Sequence, residues 1–272
     1  MRTPLIIANW KMNKNIHESV EFVKMICSQL PSNITVGIAG QALALYSMKQ
    51  TAGNSRLQII AQNAAAAVAG PYTGEISMQS LAEIGVSSVI LGHLERRRLF
   101  HESNAEITKK VLTALHLGIT PIVCTDEEQI PLEVDGQLHY AFRQLAPILQ
   151  NLSPEQVQKL VISYEPRWAV GASQSAKPVL AETGCRQIRQ SVADRFGTAI
   201  ADQVRILYGG SVNQQNIDQI VDSPNVDGAL IGRASLDVGN FLRMLNFLKV
   251  GKETRSFKDV MNCPFCVQHT HG

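Results

Sequence analysis

Glu165 closes the run Val161-Ile162-Ser163-Tyr164 and is followed by Pro166. That puts a carboxylate at the mouth of a strand, where a water-depleted cavity would make it a general base. His93 ends the run Val89-Ile90-Leu91-Gly92 in the same way and is a candidate electrophile. Lys11 stands just after the first apolar run, two residues from Asn9, and offers a cation. Two glycine loops, Gly209-Gly210-Ser211 and Gly228 through Gly232 to Arg233, have the character of a phosphate cradle. Residues without a Cβ let main-chain N–H groups approach an anion closely. The segment from Pro166 to Pro178 is rich in small residues and reads as a hinged lid, one that would exclude water and bring the N–H of Gly171 to an anionic group. Singly, each feature has a plainer reading. A strand-end glutamate is also a solvated or ion-paired group, a lone histidine a hydrogen-bonded rim residue, and Lys11 a surface lysine. The glycine loops are also tight turns, and the lid a connecting loop.

What brings these residues together is the element order. Short apolar runs rich in β-branched residues alternate with helical patterns along the chain, and eight strands are predicted: 5 to 10, 34 to 39, 57 to 62, 87 to 92, 119 to 124, 160 to 164, 204 to 208 and 226 to 231. Ile16, Val20, Val23, Ile26 and Leu30 are spaced as one apolar helical stripe. The strands are apolar at nearly every position, as expected where both faces are buried. Eight such units predict an α/β fold, a single-domain (β/α)8 barrel over residues 1 to 248, with the site at the strand C-termini. The first strand is followed by Asn9-Trp10-Lys11-Met12-Asn13 rather than G-x-G-x-x-G, which speaks against a dinucleotide, and no cofactor is predicted.

The apolar periodicity stops after Val250, and residues 249 to 272 read as a flexible C-terminal extension. Cys263, Cys266, His269 and His271 are zinc- or redox-type ligands, but their spacing is not that of a zinc finger, and no metal site is predicted. In the 272 residues, 25 Lys and Arg against 23 Asp and Glu leave a net charge of +2, too weak and scattered for a nucleic-acid or membrane-surface partner. No stretch is apolar enough to span a bilayer, and the N-terminal run is too short for an export signal. Five cysteines, three of them in apolar-periodic contexts, predict buried thiols and a cytoplasmic protein.

Six motifs in order carry a family likeness. Asn9-Trp10-Lys11-Met12-Asn13, Tyr72-Thr73-Gly74-Glu75-Ile76, Gly92-His93-Leu94-Glu95-Arg96-Arg97, Tyr164-Glu165-Pro166-Arg167-Trp168-Ala169, Tyr208-Gly209-Gly210-Ser211-Val212 and Asp227-Gly228-Ala229-Leu230-Ile231-Gly232 resemble the triosephosphate isomerase family over residues 3 to 248. That family gives the TIM barrel its name and is a standard illustration of how one fold tunes a carboxylate and a neutral imidazole. The resemblance implies interconversion of dihydroxyacetone phosphate and D-glyceraldehyde 3-phosphate through an enediolate. It makes Glu165 the base, neutral His93 the electrophile and proton shuttle, Lys11 the compensating cation and Asn9 an orienting group. Gly171, Ser211, Gly232 and the N–H of Arg233 would hold the phosphate. Glu95 would pair with Lys11, and Cys124 with Glu127 would support the base. It further implies a homodimer in which the loop from Tyr72 to Glu75 enters the partner subunit, with Glu75 and Arg96 a cross-subunit pair.

The chain departs from the family pattern at Leu94, where the family has a serine that hydrogen-bonds the base, and at Arg233, where many relatives have a second glycine. Lesser departures are Thr125-Asp126, Arg167 and the lid tip Ala172-Ser173. Leu94 and Arg233 keep a second substrate in view, another small sugar phosphate such as a ketotetrose phosphate. A non-catalytic binding barrel, with the cysteine-histidine tail as its interaction element, is the third reading.

Overall fold

A computed structural model describes residues 2–127, 139–167 and 178–247. Gly171, the lid tip, the boundary at 248 and the Cys263 to His271 tail lie outside the described residues.

The eight predicted strands are β1 Leu5–Asn9, β2 Thr35–Gly40, β3 Gln58–Ala61, β4 Ser88–Leu91, β5 Thr120–Glu127, β6 Val161–Pro166, β7 Arg205–Tyr208 and β8 Gly228–Ile231. All neighbours pair in parallel, and the order closes from β8 back to β1 as a barrel. Continuous apolar character follows from burial on both faces. Leu5, Ile7, Ala39, Ile60, Ile90, Ile122, Val161, Leu207 and Leu230 point into the barrel, while Ile6, Ala8, Val36, Ile38, Val89 and Ile162 pack outward under the helices. The closing seam depends on Gly228, whose φ is +145°. A Cβ there would stand 1.9 Å from the Leu5 carbonyl oxygen, so no other residue fits between β8 and β1.

Two expectations change. β5 and β6 run past 124 and 164, because Asp126 stays in register with Glu165 and Glu127 with Pro166. The polar residues there are held by partners described below. The helix Ile16–Cys27 buries Ser19, Phe22, Val23 and Ile26, and Ile16 is exposed. Its inward face is turned toward Phe22, which meets the Trp10 ring edge-on at 4.9 Å. Asn15 and Glu18 form a capping box at its start, the local reason the chain turns into a helix so soon after β1.

Among the described residues no helix is long and apolar enough to cross a membrane, and no group of three metal-ligating side chains occurs.

Candidate active site

The C-terminal strand ends surround a cavity of about 650 Å³, lined by Asn9, Lys11, His93, Glu165, Ser211 and Gly232 together with the glycine loops. Asn9, Lys11, His93, Glu165, Ser211 and Gly232, named from the sequence as catalytic or substrate-binding, are thus brought to one place; Gly171 lies outside the described residues. Arg233, exposed, also lines the cavity, at the head of the turn Arg233–Ser235.

Lys11 is set by its surroundings. Its φ is +53°, unusual for a residue with a side chain. The Asn9 side-chain oxygen accepts the Lys11 N–H at 3.1 Å, and Gln62 at the end of β3 donates to the carbonyls of Lys11 at 2.8 Å and Ala39 at 2.9 Å. The Lys11 Nζ meets Glu95 Oε1 at 2.6 Å, the pairing the resemblance implied.

His93 is the N-cap of the short helix Leu94–Leu99, and its Nδ1 accepts the Glu95 N–H at 3.2 Å. With Nδ1 an acceptor, the proton of the neutral ring sits on Nε2, the nitrogen that faces Glu165 Oε1 at 3.6 Å. Behind it, Arg97 binds the Gly92 carbonyl at 2.7 Å, the Cys124 carbonyl at 3.1 Å and Asn104 at 2.6 Å, locking the end of β4 to β5. Burial draws the Arg97 guanidinium below its ordinary pKa, opposed by Asp126 and by other nearby acids including Glu165. An arginine nevertheless stays a cation.

Glu165 is 1% exposed. Its Oε2 accepts the N–H of Leu94 at 3.1 Å, and no N–H or O–H donor among the described residues reaches Oε1. The carboxylate lies beside the Cys124 thiol; burial first, and then this negative neighbour, push the thiol well above its ordinary pKa, so it remains protonated. Glu127, named with Cys124 as support for the base, accepts the Ala141 N–H at 3.3 Å. Gly209 donates its N–H to the Tyr164 carbonyl at 2.8 Å, and a Cβ on it would come within 2.7 Å of Glu165 Cγ. The absence of a side chain there therefore leaves room for the carboxylate itself.

Gln62 and Arg97 received no role from the sequence. Gln62 carries the strand-end signal that marked the other residues, whereas Arg97 was legible only as part of a motif.

A sequence model of the family described as "Triosephosphate isomerase" matches residues 4–248. Among curated proteins, the triosephosphate isomerase of Streptococcus agalactiae serotype Ia is 43% identical over 250 residues, covering 91% of this chain and 99% of the relative. That of Streptococcus equi subsp. zooepidemicus is 42% identical over 249 residues, with the same coverage. That of Streptococcus suis is 43% identical over 248 residues, covering 90% of this chain and 99% of its own. Since the match runs from the first strand through the last described helix and takes in the relatives almost end to end, the chain belongs to the triosephosphate isomerase family.

Proposed function

We propose that the protein interconverts dihydroxyacetone phosphate and D-glyceraldehyde 3-phosphate by proton transfer through an enediolate. The observation that carries this reading is the under-coordinated Oε1 of Glu165, 3.6 Å from a histidine nitrogen placed to donate, in a cavity that also holds Lys11. Glu165 takes the proton from the carbon beside the substrate carbonyl. The C–H electron pair becomes the new C=C bond, and the carbonyl oxygen takes up the displaced pair while hydrogen-bonded to His93 Nε2. Lys11 offsets that charge, and Asn9 helps orient the substrate. His93 relays a proton between the two oxygens, and Glu165 returns its proton to the neighbouring carbon, which balances the isomerisation. Ser211, Gly232 and the N–H of Arg233 hold the phosphate, joined by Gly171 on the strength of the family likeness.

The same reading includes a homodimer in the cytoplasm. Met12, next to Lys11, is 86% exposed, and Leu43 and Tyr72 are also open to solvent, apolar surface that a second subunit would cover. Cys27, Cys124 and Cys185 are free thiols, as in a reducing compartment. The family match ends at 248, in keeping with an extension that begins at 249. The tetrose phosphate and non-catalytic readings are not favoured, because the matching family model and the curated relatives carry the name triosephosphate isomerase.

The test is a coupled assay of purified protein with glyceraldehyde 3-phosphate beside its Glu165→Ala variant. Turnover should fall by roughly 10²- to 10⁴-fold in the variant. An inert wild-type protein would overturn the proposal.

A further inference from the structure

Two of the departures from the family pattern, Asp126 and Arg167, lie 41 positions apart in the sequence and touch each other in the fold. Asp126, near the end of β5, is 1% exposed, and its carboxylate accepts from Arg167 Nε on one oxygen and from Gln144 Nε2 on the other. Its N–H donates to Gln144 Oε1 at 2.9 Å, so the aspartate is clamped at main chain and side chain to the helix His139–Gln150. Arg167 is tied twice to the same strand, since its N–H also donates to the Glu127 carbonyl at 2.8 Å. Between these ties sits the base: Asp126 is the register partner of Glu165, and Arg167 follows it by two residues.

We propose that Asp126 and Arg167 form a positioning pair for the isomerase reaction, holding the end of β6 against β5 and thereby fixing the main chain from which Glu165 reaches its substrate. Neither lines the cavity described above, so neither is a catalytic residue. The need for such a pair follows from how loosely the carboxylate itself is held. With one N–H donor on Oε2 and, among the described residues, no N–H or O–H donor on Oε1, its location is inherited largely from the main chain. A charge-assisted bond anchored in a buried aspartate is a stiff way to define that main chain. Displacing a reacting group by about 1 Å can lower a rate on the order of 10²-fold without touching the groups that bind substrate. Three of the groups assigned to the phosphate, Ser211, Gly232 and the N–H of Arg233, follow β7 and β8 rather than β5 or β6, while Gly171 follows Arg167 by four positions.

The inference rests on the isomerase reading, so wild type is assayed alongside the variants with glyceraldehyde 3-phosphate. Arg167→Met is expected to lower kcat on the order of 10- to 100-fold with KM for the triose phosphate nearly unchanged. Arg167→Lys, which keeps the charge and the main-chain bond, should recover most of that loss. The double variant Asp126→Asn with Arg167→Gln buries no lone charge and keeps the test open if Arg167→Met does not fold; it too should lose kcat at unchanged KM. Variants that fold with wild-type kcat but lower thermal midpoints would overturn the pair's role in positioning and leave the isomerase reading standing. An inert wild type would overturn both.

Discussion

Two buried carboxylates at opposite ends of the barrel are treated in opposite ways. Asp227, just before β8, accepts Arg2 Nε at 2.6 Å on one oxygen, and Arg189 Nη2 at 2.5 Å and the Ile206 N–H at 2.9 Å on the other. Arg189 in turn binds the carbonyls of Ala201, Val204 and Asn225, so the charge is spread through a closed network. Glu165, at the other end, is buried at least as deeply and, among the described residues, is given a single N–H. Burial alone therefore does not separate a structural acid from a reactive one. The separation lies in how many lone pairs have been claimed, because a saturated carboxylate has no capacity left to take a proton from a substrate.

That contrast can be broken or sharpened by experiment. Asp227→Ala leaves two arginines facing an empty site and should lower unfolding free energy by roughly 3–5 kcal/mol in urea titration, with turnover per folded molecule unchanged. A large loss of kcat there would erase the distinction. Glu165→Asp withdraws the carboxylate by one methylene, and kcat should drop on the order of 10²-fold in steady-state kinetics while the urea midpoint moves little. Gly209→Ala pushes a Cβ toward Glu165 Cγ and Ser163 Oγ; it should destabilise by roughly 1–3 kcal/mol and depress kcat as well. A stability effect with unaltered kcat would mean the base tolerates displacement.

The last effect concerns alkaline pH. Burial raises Cys124 and Cys185 well above the ordinary thiol value of 9.0, and also raises Tyr164 and Tyr208. Above about pH 9 the unfolded chain loses thiol protons that the folded protein retains, so the thiols' contribution to stability is constant below that range and is lost as pH rises through it. The slope is about 1.4 kcal/mol per pH unit for each fully displaced group, with the tyrosines joining above about pH 10. Urea titrations at stepped pH should show this decline, and Cys124→Ala should remove one thiol's share of it.

Much of the fold was legible because parallel strands buried on both faces must be apolar throughout, which is what the runs ending at Asn9, Leu91 and Tyr208 display. The ends of β5 and β6 were not, since Asp126, Glu127, Glu165 and Pro166 lack strand character and owe their pairing to register. Arg167 and Gln144 add hydrogen bonds there, from positions no local window contains. The inward face of the first helix was misjudged for a similar reason: the Trp10 ring, outside the helix, selects Phe22 over Ile16. In the site, Lys11, His93 and Glu165 stood out by strand-end position in combination, and their roles came from the family resemblance. Leu94 pointed the other way, toward a lost hydroxyl partner. The bond it does make comes from its main-chain N–H, a group that every residue but proline carries and that no substitution pattern reveals.

The seam at Gly228 has a temporal side. β1 is the first strand to be synthesised, and one of its two neighbours, β8, is the last. At roughly 5–20 residues per second, the growing chain exposes that apolar strand edge for on the order of ten seconds or more before its partner leaves the ribosome. An interval of that length invites pairing with other nascent chains. A ribosome that pauses anywhere between β1 and β8 prolongs it.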